Sequence, residues 1–385
     1  MTIPPEIQAI IPQIRTEYPQ LADAPDEAIA QLILHAIQEQ EAWPQGNVDI
    51  KKSMSAHECG VYGERLRNAG QWREAEKFFF AQLEKGEQEN DLDQQMKAGI
   101  TLGRLCRDRS DFPQAMSLYQ QALGLAERLG DRRLMGVIYN QIGTTHRMQD
   151  SYPQAIEYYK KSLEITEQCG DEQESAVEYG NLGNVYLQQG DFEAAIQAYE
   201  KSLEYGIKIG ADQVTANQYS NLGNVYSEQG RYDRAIKMYQ QSLDICLRLG
   251  DEATSANQYG NLGNVHRKLG NPAAAIEMYQ KGLEIMRRTG DEPGVAGQYG
   301  NLAAVYQQIG DTARVLEHYQ KSLAITERIG DRRTSANSYF SLGLLYRDLD
   351  QREAAREHFQ KAKALYEIVG DAQRAQKAAG ALRGL

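Results

Sequence analysis

The residues best able to do chemistry in this 385-residue chain are not spaced for catalysis. The four cysteines, Cys59, Cys106, Cys169 and Cys246, include no CxxC pair, so neither a zinc site nor a disulfide framework is expected. His57 and Glu58 open like the HExxH helix of a zinc hydrolase, but position 61 is Val61. No GxxxxGK[ST] loop is present to cradle phosphate, and no GxGxxG follows a strand. Base, nucleophile and charge stabiliser nowhere stand together, so no enzyme activity, no metal and no cofactor are expected. Asparagine recurs instead. Asn181, Asn221, Asn261 and Asn301 are 40 residues apart, and Asn184, Asn224 and Asn264 repeat the series three positions on. An amide both donates and accepts, so such a ladder could hold the backbone of an extended peptide without reading its side chains. It could equally be solvated or bond neighbouring helices.

The 40-residue spacing holds for the chain as a whole, aligning residues 56–375 on themselves as eight units without a gap. One column reads Gly63, Gly103, Gly143, Gly183, Gly223, Gly263, Ala303 and Gly343; another reads Phe79, Tyr119, Tyr159, Tyr199, Tyr239, Tyr279, Tyr319 and Phe359. Within a unit, Tyr179, Leu182, Gly183 and Tyr186 form the stripe of an amphipathic helix, here helix A. After Gly190 a second stripe, Ala195, Tyr199 and Leu203, marks helix B. The column from Gly130 to Gly370 suits the left-handed residue that closes a helix, and the Asp that follows it, replaced once by Ala211, suits an N-cap. Glu174, three residues after Asp171, predicts a capping box. Gly183 and Ala195 are small where helices A and B must approach, and the tyrosines fill the space around them. His146, His266 and Cys106 share the Tyr186 column and Cys59 the Tyr179 column, so packing is their expected role.

The string Tyr179, Leu182, Gly183, Tyr186, Gly190, Phe192, Ala195, Tyr199 resembles the tetratricopeptide repeat. The unit is longer than the usual 34 residues. Its length, with Asn181 to Asn184, is similar to the repeats of Pins/LGN-type polarity adaptors and, less closely, of kinesin light chains. The resemblance implies an all-α fold: an α-solenoid, a right-handed superhelix of stacked antiparallel helix pairs. It also implies peptide binding on the concave surface lined by the A helices. Nothing here resembles the Gα-binding tail motifs of the polarity adaptors.

Net charge is −11, which argues against a general nucleic-acid binder or an anionic-membrane binder. The A-helix positions that the core does not use have the opposite sign. They carry Arg67, Lys97, Arg104, Arg107, Arg147, Arg267, Lys268 and Arg347 against Glu64, Asp108, Glu228 and Asp348. The expected ligand is therefore an extended protein or peptide segment, acidic where it meets Arg67, Arg104, Arg107, Arg147 and Arg267, with Phe340 and Leu344 as an apolar anchor. Gly180, Ser220, Gly260 and Gly300 lie beside the ladder, leaving room for a ligand or for a neighbouring helix. The expected role is a non-enzymatic interaction scaffold; the alternative is a regulatory or sensor subunit that clasps one folded partner. Neither indicates an oligomeric state.

Residues 1–55 lie outside the period and read as a helical cap for the first repeat or as a partner-docking arm; residues 376–385 read as the end of a capping helix. Pro4, Pro5 and Glu6 stand where a signal peptide would be basic and then apolar, and no apolar run is long enough to span a bilayer. A cytoplasmic location is expected.

Overall fold

The structure, a computed structural model, describes residues 54–385; the expected N-terminal cap or arm lies outside them except for its last two residues. The described residues hold seventeen helices and no strand. They fall into two units, divided after Gly130.

In the first unit α1 (Ala56–Asn68) packs on α2 (Trp72–Glu89), and α3 (Leu92–Asp108) on α4 (Phe112–Leu129). The second unit has six such pairs and one more helix. They are α5 (Arg132–Met148) with α6 (Tyr152–Cys169), α7 (Glu172–Gln189) with α8 (Phe192–Lys208), α9 (Asp212–Glu228) with α10 (Tyr232–Leu249), α11 (Glu252–Lys268) with α12 (Pro272–Thr289), α13 (Glu292–Gln308) with α14 (Thr312–Ile329), and α15 (Arg332–Asp348) with α16 (Arg352–Ile368). The last helix, α17 (Ala372–Arg383), covers α16 through Ala375 and Ala378. Within each unit every B helix also packs on the A helix that follows it, so consecutive pairs share one core, as an α-solenoid requires.

The repeated columns explain the packing. Tyr119, Tyr159, Tyr199 and Tyr279 are wholly buried, and each ring lies where the facing A helix has glycine. A methyl group on Gly183 would stand 2.5 Å from Tyr199, and one on Gly223 2.6 Å from Tyr239, so any side chain there would force the helices apart. The helix ends are equally regular. Gly170 has φ +68°, and Asp171 donates its N–H to the Thr166 carbonyl at 2.8 Å, closing α6. The Asp171 carboxylate then accepts from the Glu174 N–H at 3.2 Å and caps α7. The expected capping box is therefore only half made, because the N–H that the Glu174 side chain would have to reach already closes the preceding helix.

Candidate functional site

The A helices of the second unit carry both asparagine series, and every member is half-buried. The series Asn184, Asn224 and Asn264 is tied to the buried rings. Tyr199, Tyr239 and Tyr279 donate their phenol hydrogens to the three amide oxygens at 2.8, 2.7 and 2.7 Å. Desolvation raises the pKa of all three phenols, so they remain donors at ordinary pH. With each oxygen occupied, the Nδ2 hydrogens are left over; among the described residues they have no partner. Three successive repeats thus present the same unused donor.

The other series serves the joints between repeats. Asn221 donates to Gln218 at 3.3 Å and Asn301 to Gln298 at 3.5 Å, while Asn181 lies near Glu178 and favours its ionised form. Asn261 has no such bond; its neighbour Gln258 bonds Ser220 at 3.0 Å instead. Glu178, Gln218, Gln258 and Gln298 are all buried and reach back to the preceding A helix. This accounts for the small residues beside the ladder. A methyl group on Gly180 would stand 3.0 Å from Gln218, and one on Gly260 2.9 Å from Gln298, so a neighbouring helix fills both places. Gly300 differs: the column that holds the glutamines has Ser338 at the next joint, and nothing lies within 4 Å of where a Gly300 side chain would start. This joint was not among the expected sites, although Ser162, Ser202 and Ser242 and the three glutamines repeat at the same 40-residue spacing.

The candidate arginines are less alike than their common helix position suggests. In the first unit Arg67 pairs with Glu64 at 2.6 Å and Arg107 with Asp108 at 3.0 Å, so the acidic residues counted against them are their own partners. Burial pushes the pKa of Arg104 down, and it lies near the Tyr119 phenol, which desolvation pushes up to about 12. In the second unit Arg147 and Arg267 have no carboxylate partner among the described residues. Each lies against a buried phenol and holds its pKa down against burial, Arg147 that of Tyr159 and Arg267 that of Tyr279. Tyr279 thereby links Arg267 to Asn264, as Tyr159 links Arg147 to Thr144 at 3.1 Å. Phe340, the expected apolar anchor, is already engaged, with its ring 5.5 Å from that of Phe359 and Lys377 of α17 5.6 Å above it.

Of the thiols, Cys169 is exposed and the other three pack. Cys59, Cys106 and Cys246 are buried, and burial raises the Cys106 and Cys246 thiols. His146 stacks on Tyr158 at 5.5 Å, and burial lowers its pKa. No group of His, Cys, Asp and Glu able to hold a metal occurs among the described residues, and no helix among them is long and apolar enough to cross a membrane.

Tetratricopeptide-repeat family models match residues 101–133, 134–208, 213–288 and 295–368, which is most of the chain. The chain belongs to the tetratricopeptide repeat family. No curated protein sequence matches it. Among solved structures it is similar to the apo form of the quorum sensor NprR from B. thuringiensis, with TM-score 0.60 and 16% identity, covering 93% of this chain and 99% of that one. It is also similar to aspartyl phosphate phosphatase F from Bacillus subtilis (TM-score 0.57, 13% identity, 94% and 89% coverage). A Rap protein complexed with Competence and Sporulation Factor aligns with TM-score 0.51 at 14% identity over 86% and 97%. At these identities the likeness is one of fold.

Proposed function

We propose that this tetratricopeptide repeat protein is a non-enzymatic binding protein that holds an extended peptide along the A helices of its second unit. The observation that carries this reading is the row of unused amide donors at Asn184, Asn224 and Asn264. Their common orientation is set by the phenol below each, so they are ordered before any ligand arrives, and a peptide's carbonyls would meet them with little entropy left to lose. Arg147 before the row and Arg267 at its end would favour acidic groups near the ends of the bound stretch. Arg67 and Arg107, in the first unit, are paired with carboxylates of their own, and the chain's overall −11 would by itself repel an acidic ligand. One structural neighbour is called a quorum sensor and another is complexed with Competence and Sporulation Factor, which is consistent with ligand sensing on this fold.

The test separates binding from folding. Replacing the three asparagines by alanine would also orphan three buried phenols. Asn184→Asp, Asn224→Asp and Asn264→Asp together keep the acceptor for each tyrosine and remove the donor. Peptides selected from a random library on the full chain should bind this triple variant at least tenfold more weakly, a loss of about 1.4 kcal/mol. Selected peptides that bind both proteins alike would rule the groove out, and capture of one stoichiometric folded partner in their place would favour the regulatory-subunit reading.

A further inference from the structure

Glu178 is 1% exposed, and its carboxyl lies where α5, α6 and α7 meet. Asn140 and Ser162 both donate to Oε1 at 2.7 Å, while Oε2 has no partner. The titratable groups that face it bring no cation. Glu174 on its own helix opposes ionisation, α6 presents the Tyr159 phenol, and α5 presents the neutral Asn140, its Arg147 lying against Tyr159. Burial outweighs the hydrogen bonds from Ser162, Asn140 and Asn181 and pushes this carboxyl up to about 7. At the next three joints the same position holds Gln218, Gln258 and Gln298, all buried and all neutral. A protonated glutamic acid has nearly the shape of glutamine and, like it, one donating and one accepting end. An ionised one has two acceptors and a charge that the site does not solvate.

We propose that Glu178 makes the α5–α6–α7 joint a proton-dependent hinge in an otherwise constant stack, closed like the glutamine joints when the acid is neutral and loosened when it loses its proton. The released proton goes to solvent, and the bare Oε2, which has no donor beside it, then draws water into the joint. The hinge itself needs no ligand and stands whether or not the groove binds one.

Hydrogen exchange of the full chain at pH 6 and pH 8, corrected for the intrinsic rate, reads it directly. Protection in α5, α6 and α7 should fall about tenfold at the higher pH while the later pairs hold. Glu178→Gln should abolish that loss, and Gln218→Glu should create it one repeat further on, in α7, α8 and α9. Equal behaviour of wild type and Glu178→Gln, or a loss spread evenly over the second unit, would overturn the proposal. Carbon-13 carboxyl NMR of the wild type provides a check that does not depend on variants folding: a Glu178 midpoint near 7 supports the hinge, and one in the ordinary range of about 4–5 refutes it.

Discussion

Glycine does three different jobs on the A helices, and substitution should tell them apart. Gly223 faces Tyr239, where even a methyl group would be 2.6 Å from the ring, so Gly223→Leu should cost at least the 1–3 kcal/mol typical of overpacking. Gly260 faces the movable end of Gln298, so alanine there should be tolerated with a smaller loss. Gly300 faces open space on a helix interior, and Gly300→Ala should stabilise the protein by up to about 1 kcal/mol. Urea unfolding of the three variants gives the order, and a destabilised Gly300→Ala would show a packing role that the structure lacks. At Glu178 the folded state holds its proton more tightly than the unfolded chain, with the pKa raised from 4.5 to about 7. Its stabilising contribution is thus complete below about pH 4.5 and is lost as pH rises through about 7, by at most about 3 kcal/mol. The stability difference between wild type and Glu178→Gln should shift in that direction across the window; a pH-independent difference would mean that Glu178 is already ionised.

Among the described A helices, one alone lacks the side-chain cap that starts the others. Asp171, Asp251, Asp291 and Asp331 each accept the N–H three residues on at 3.0–3.2 Å, whereas Ala211 begins α9 with no side-chain bond. The backbone of Ala211, φ −81° and ψ 76°, is close to that of Asp171, φ −83° and ψ 82°, so an aspartate would find the geometry ready. Ala211→Asp should therefore add about 1 kcal/mol, seen as a higher melting temperature. No gain would mean that repulsion from Asp212, next in the chain, cancels the cap. Along one edge of the second unit Lys208, Arg248, Arg288 and Arg328 of the B helices pair with Glu172, Asp212, Glu252 and Glu292 of their own A helices at up to 3.0 Å. These pairs are exposed and should contribute little each, so raising the salt concentration should scarcely move the melting temperature.

At the scale of the molecule, each pair of the second unit touches only its neighbours, and damage should stay where it is made. Hydrogen exchange of Gly223→Leu should show lost protection centred on α9 and α10 and little change in α15 and α16; uniform loss would mean that the stack unfolds as one. If a peptide binds along the second unit, Arg147→Glu with Arg267→Glu should slow its association and weaken the dependence of that rate on salt, since both guanidinium groups lack a carboxylate of their own. Association rates that are salt-independent in both proteins would remove the acidic ligand from consideration.

The helices, their ends and their pairing could be read from the chain alone, because a 40-residue period writes each local rule many times over: a stripe of apolar residues, a left-handed glycine, a capping aspartate. The ring-on-glycine core was legible for the same reason, since Gly183 and Tyr199 recur together. The use of the polar columns was not. Asn224 and Asn221 are three residues apart and chemically identical, yet one bonds a phenol of its own hairpin and the other bonds Gln218, which reaches the preceding repeat. Likewise Arg67 and Arg147 occupy the same helix position, but only Arg67 has a glutamate one turn away to neutralise it. Periodicity places a side chain on a face. Which partner then satisfies it depends on what the next helix brings within about 3 Å, and that distance is set only when the pairs stack.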